Sequence, residues 1–215
     1  DALDLLSDIE SGITERSSAQ LRARFYDTHC SVDKARGDFD SFYENALLYL
    51  STSRLYNNYV LAFDLCLSAL FSKRICSFGE LTSNPVLKSL EGTEHEWVKD
   101  LIELIEGGKP ESITIYSETF AQKISESPMF SAYTQTIQNK LSLSIFLQLI
   151  FERQFESTVF SFKDIADVCH VNIENVEYLI MTALSTGLIR GTIDEVAQTV
   201  TVTWFKPKAL GAARL

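Results

Sequence analysis

The side chains in this sequence best suited to act as nucleophile, base or metal ligand are three histidines (His29, His95, His170) and four cysteines (Cys30, Cys66, Cys76, Cys169). Zinc-dependent hydrolysis needs histidines at HxH or HExxH spacing, and neither pattern occurs. His29-Cys30 and Cys169-His170 are neighbours in sequence, but adjacent residues rarely aim a nucleophile and a base at each other. Glu94-His95-Glu96 gathers two carboxylates around an imidazole. A charged first turn at a helix N-terminus accounts for it, because the helix dipole favours carboxylates there. No GxxxxGK[ST] or GxGxxG loop is present to cradle phosphates. The residues therefore supply no catalytic group, no metal ligand and no cofactor-binding site. No cofactor is expected, and the chain reads as a protein that is not an enzyme.

The elements that carry these residues belong to a chain of 215 residues with 46% hydrophobic content, enough to bury a sizeable core. The formal net charge of −10 opposes a phosphate-tracking surface and suits a neutral or basic protein partner. Scattered cysteines without CxxC spacing point to buried free thiols in a reducing compartment. The longest apolar run, Tyr59 to Phe71, is interrupted by Asp64 and falls short of a membrane span. Nothing at the start resembles a signal peptide, so a cytosolic or nuclear location is expected, with no membrane partner. Because the chain opens on Asp1, an upstream segment is expected to be missing.

Helix signals fill roughly the first 150 residues as pairs separated by short breaks. Gly37 suits a left-handed helix end and Asp38 a cap for the next helix, which places Phe42, Ala46, Tyr49 and Leu50 on one face. Asn57 or Asn58 caps a helix that is apolar on nearly all sides and so is expected between neighbours. Asn84-Pro85 reads as a cap and first-turn proline, and Thr93 to Glu96 as a capping box. Gly107-Gly108, Pro110 and Ser127-Pro128 punctuate the later helices. The pattern predicts a helix-pair solenoid of degenerate period.

From about Lys140 the pattern changes. A long apolar helix is followed by a short strand at 157–160, a helix capped by Ser161, a turn at His170-Val171, and a helix from Asn172 to Gly187. Two strands close the series, Leu188 to Ile193 and Thr199 to Trp204. This is the order of a winged helix. A DNA reader of that type carries Arg, Lys, Asn or Gln on its second motif helix and wing. Between Phe155 and Lys206, three basic residues (Lys163, Arg190, Lys206) face seven acidic ones, a local net of −4, so nucleic acid is not an expected partner.

Two protein-contact candidates remain. On the second motif helix, Val176, Leu179, Ile180, Ala183 and Leu184 form a core stripe, which leaves Tyr178 and Met181 on a separate stripe. These two are either exposed for recognition or covered by the preceding long helix. The final strand, Thr199, Val200, Thr201, Val202, Thr203 and Trp204, alternates as strand addition requires. It is either an open edge or a hairpin strand already covered by Thr158 to Phe160.

The runs from Ser161 to Ala166, from Asn175 to Met181 and from Ala183 to Val196 resemble the PCI-domain family. That family comprises winged-helix scaffold subunits of the proteasome lid, the signalosome and a translation initiation factor complex. The stretches Gly37 to Phe39, Phe78 to Leu81, and Trp204 before Pro207 are similar to the proteasome-lid branch. The resemblance implies a mainly α fold: a TPR-like, right-handed helical-repeat arm over 1–139, a winged helix with a small antiparallel sheet over 140–206, and a C-terminal tail over 207–215. It also implies a non-catalytic scaffold in ubiquitin-dependent degradation, found in cytoplasm and nucleus. Its partners would be other PCI-domain lid subunits and the neighbouring ubiquitin-receptor subunit. A signalosome or initiation-factor scaffold is the alternative. Family members continue into a C-terminal helix, so a chain ending at Leu215 is expected to enter a complete lid poorly.

Overall fold

The computed structural model describes residues 6, 8, 9, 12, 13, 17–155 and 157–206, so the tail over 207–215 lies outside the described residues. The chain is mainly helical, with one three-stranded antiparallel sheet near its C-terminal end. It divides into two compact units, Asp1–Ile75 with Asn84–Glu96, and Cys76–Ser83 with Trp97–Leu215.

In the first unit, α1 (Ala19–Arg36) packs on α2 (Phe39–Ser53), and α2 on α3 (Tyr59–Phe71). The α1–α2 turn obeys its local chemistry. Gly37 sits at φ 70°, where an L side chain would be strained, and the Asp38 carboxylate accepts from the Ser41 N–H at 3.1 Å. Asn58 caps α3 by accepting from Leu61 N–H at 3.1 Å. From Leu65 to Phe71 every residue of α3 is buried, as its all-round apolar sequence requires. Asn84 is the expected cap, accepting from Val86 N–H at 3.1 Å with Pro85 in the first turn, and the element it starts is a 3₁₀ helix, Pro85–Leu90. The expected capping box comes out differently. Thr93 donates its hydroxyl to Leu90 C=O, and the Glu96 carboxylate accepts from Gly92 N–H, so no reciprocal capping box forms.

The second unit contains α4 (Gly79–Thr82) and α5 (Glu96–Gly107) from Trp97 onward. Next come α6 (Ser112–Ile115), a π-helical turn (Tyr116–Phe120), α7 (Ala121–Glu126), α8 (Pro128–Ser131) and α9 (Thr134–Arg153). The long helix expected from about Lys140 begins at Thr134, and residues 143–150 are buried on every side. The chain continues through β1 (Val159–Ser161), α10 (Phe162–Cys169), α11 (Ile173–Ser185), β2 (Ile189–Asp194) and β3 (Thr199–Phe205). Ser161 caps α10 by accepting from Asp164 N–H at 3.1 Å, and His170 at φ 50° ends it.

The sheet order is β1-β3-β2, both pairings antiparallel. This corrects the open-edge reading of Thr199 to Trp204, because that strand is the central one. β1 pairs Ser161, Phe160 and Val159 with Thr199, Val200 and Thr201, and β2 flanks the other side from Asp194 to Ile189. The alternative, a strand covered by Thr158 to Phe160, is the one realised; local sequence poses both and does not choose, since β1 meets β3 only after α10, α11 and β2 have intervened.

Candidate protein-interaction surface

The helix-turn-helix α10–α11 owes its placement to one amphipathic stripe. Val176, Leu179, Ile180 and Ala183 of α11 are buried, with Leu184 half-buried, and both α9 and α10 pack on this helix. Tyr178 is 63% exposed and Met181 52% exposed, so the long helix does not cover them. Ile173, at the start of the same helix, is 47% exposed. Three large apolar side chains on one short helix stand in water, an arrangement that marks contact surfaces.

The strand candidates divide. Val200 and Val202 are buried, and Thr199 and Thr201 half-buried. Val202 N–H donates to Thr158 C=O at 2.8 Å, which extends the cover of β3 past the end of β1. Thr203 lies at the register shift opposite Arg190/Gly191, and its hydroxyl donates to Arg190 C=O at 3.1 Å. Trp204 is 42% exposed beneath the Arg190 guanidinium, whose carbon stands 5.0 Å from the ring centroid. Two outer edges have no strand partner among the described residues: that of β1, which is three residues long, and that of β2, Ile189 to Asp194, which is six. The longer β2 edge is a residue set that reading the sequence misses. Alternation marks a strand but is silent on its neighbours.

The exposed charges of the two motif helices are mostly acidic. Asp167, Glu174 and Glu177 are exposed and have no ion-pair partner among the described residues, whereas Asp164 lies 3.7 Å from Arg153. On the second motif helix the field therefore repels phosphate rather than attracting it.

The chemistry-bearing side chains are placed for structure. Burial pushes the thiols of Cys66 and Cys169 up to about 12, and burial with the nearby Asp33 and Asp27 charges does the same to Cys30. A thiol held protonated is a poor nucleophile. His170 is exposed and Cys169 buried. His95 stacks on Phe63 at 4.2 Å between ring centroids. His29 Nδ1 lies 3.0 Å from Asp33 Oδ2, which also accepts from Ser41 Oγ at 2.8 Å and Asn45 Nδ2 at 2.9 Å. This cluster, unannounced in the sequence, joins α1 to α2. Serine and histidine both point at the same carboxylate oxygen, so the imidazole does not stand between hydroxyl and acid as a serine-activating base would. Among the described residues no group of three or more His, Cys, Asp or Glu is arranged to hold a metal ion, and no helix is long and apolar enough to cross a membrane.

Comparison with known proteins adds two family matches, PSD13 N-terminal repeats over residues 1–102 and a PCI domain over residues 114–204. The chain is 31% identical over 223 residues to the 26S proteasome regulatory subunit RPN9 of Saccharomyces cerevisiae, covering 100% of this chain and 56% of that protein. It is 33% identical over 218 residues to the 26S proteasome non-ATPase regulatory subunit 13 homolog B of Arabidopsis thaliana, covering 99% and 54% respectively. It is 29% identical over 213 residues to the 26S proteasome non-ATPase regulatory subunit 13 of Dictyostelium discoideum, covering 97% and 55%. The chain thus spans about half the length of the curated relatives it matches.

Proposed function

Because this chain belongs to the PCI-domain family and carries PSD13 N-terminal repeats ahead of that domain, we propose that it is a non-catalytic scaffold subunit of the proteasome regulatory-particle lid. Its work in ubiquitin-dependent protein degradation is positioning. The helical repeats over 1–139 serve as an arm and the winged helix over 140–206 as the docking module. Partners are other PCI-domain lid subunits and the neighbouring ubiquitin-receptor subunit, in cytoplasm and nucleus.

The observation that carries this reading is the outer edge of β2, which has no strand partner among the described residues, within a winged helix whose second motif helix bears carboxylates and no basic residue. An edge of six residues offers backbone N–H and C=O groups to an incoming strand, twice the length that β1 offers, and exposed Trp204 under Arg190 lies across the pair from that strand. Docking thus uses the β2 edge with the side chains of Thr203 and Trp204, rather than the backbone of β3.

The test mixes this chain, extended by the C-terminal region of its relatives, with isolated PCI subunits of the proteasome lid, the signalosome and the initiation factor complex. Light scattering reads association. Selective binding to a lid subunit supports the reading, preference for a subunit of either other complex replaces it with that scaffold, and failure with all three sinks it.

A further inference from the structure

The exposed face of α11 is a second surface, distinct from the β2 edge, and its chemistry selects an occupant. Residues three and four apart on a helix are surface neighbours, so Glu174, Glu177, Tyr178 and Met181 form one contiguous patch, with Ile173 beside Glu177. Tyr178 and Met181 supply a rigid aromatic and an adaptable thioether. The two glutamates that frame them have no cationic partner among the described residues, nor has Asp167 on the preceding helix. A carboxylate beside exposed apolar surface gains most from a cation delivered together with apolar cover, since that partner excludes water from the pair.

We propose that this face docks a basic amphipathic helix of a partner protein, with its apolar side chains on Ile173, Tyr178 and Met181 and its Lys or Arg side chains on Glu174 and Glu177. The inference rests on the scaffold reading and names the partner chemistry of one surface. An acidic segment is excluded by like-charge repulsion, and a nucleic acid by the same charges.

The probe is a synthetic helical peptide with Leu and Tyr along one stripe and Lys on both flanks, fluorescently labelled, beside a twin with Glu for Lys. Anisotropy is read against the whole chain at low and high salt. The cationic peptide is expected to bind and to weaken as salt rises, and the acidic twin not to bind. Tyr178→Ala with Met181→Ala, and separately Glu174→Gln with Glu177→Gln, should each weaken binding by about tenfold or more, roughly 1.4 kcal/mol. Glu111→Lys with Glu118→Lys changes the net charge elsewhere and should leave binding within about twofold. Equal binding of the acidic twin, or equal loss in the Glu111/Glu118 variant, overturns the proposal, as does unchanged binding by either α11 variant. Circular dichroism of each variant separates lost contact from lost fold. Failure here leaves association through the β2 edge intact, whereas failure of the scaffold reading appears in the light-scattering experiment with peptide binding retained.

Discussion

A Cβ placed on Gly191 would lie 2.0 Å from the carbonyl oxygen of Thr201, closer than any real side chain approaches backbone. Gly191 comes directly after the register shift at Arg190/Gly191, where β2 and β3 meet beside the extra residue Thr203. Gly191→Ala must therefore push the two strands apart. The expected cost is about 1–3 kcal/mol or more, the range for overpacked sites. Urea unfolding monitored by circular dichroism measures it, with exposed Thr192→Ala as a control expected to change stability by less than about 0.5 kcal/mol.

The β2 edge makes a second prediction. Successive residues of an edge strand point their N–H groups alternately at the sheet and away from it. Of Thr192→Pro and Ile193→Pro, one therefore removes an outward donor and leaves the sheet bonds in place. The variant that keeps its circular dichroism spectrum should lose association with a lid subunit by about tenfold or more. Undiminished association in that variant would remove strand addition from the mechanism.

The polar cluster on Asp33 is a stability element. Asp33 is fully buried and its Oδ2 accepts three contacts across α1 and α2, while Oδ1 has no hydrogen-bond partner among the described residues. Asp33→Ala leaves His29, Ser41 and Asn45 without their shared acceptor and should cost about 1–3 kcal/mol, as buried groups stripped of partners do. Chemical unfolding is the measurement. An unchanged midpoint would show that the cluster contributes nothing net.

Thiol chemistry makes the fourth prediction. In the native chain at neutral pH, iodoacetamide should modify half-buried Cys76 first, and Cys30, Cys66 and Cys169 only after unfolding, as read by mass spectrometry. The same three groups link stability to alkaline pH. Their ordinary value is 9.0 and the folded value about 12, so between those limits the folded chain holds protons that the unfolded chain has lost. Stability should be fully present below pH 9 and fall as pH rises toward 12, and replacing the three with Ala or Ser should flatten that fall.

Truncating the exposed α11 pair should separate binding from folding. Tyr178→Ala with Met181→Ala removes side chains that stand in water, so the melting midpoint should stay close to that of the parent, with a change of about 0.5 kcal/mol or less. A large drop would show that the pair packs within the fold.

Local chemistry makes much of this fold readable in the residues. Gly37 with Asp38, Asn58 and Ser161 act within three or four positions of themselves, so their helix boundaries follow from residue type alone. The three strands, both motif helices and the acidic charge of α11 are legible for the same reason, as is the likeness to PCI proteins. Where one element meets a distant one, the residues are silent. Alternation identifies Thr199 to Trp204 as a strand, but only the tertiary structure puts β1 on one side of it and β2 on the other, and so moves the free edges to those two strands. Periodicity separates Tyr178 and Met181 from the core stripe of α11, and the position of α9 decides that they face water. His29, Asp33, Ser41 and Asn45 become one cluster only when α2 folds back on α1. Short-range preferences depend on a residue and its immediate neighbours; pairing and exposure depend on which surfaces the whole chain brings into contact.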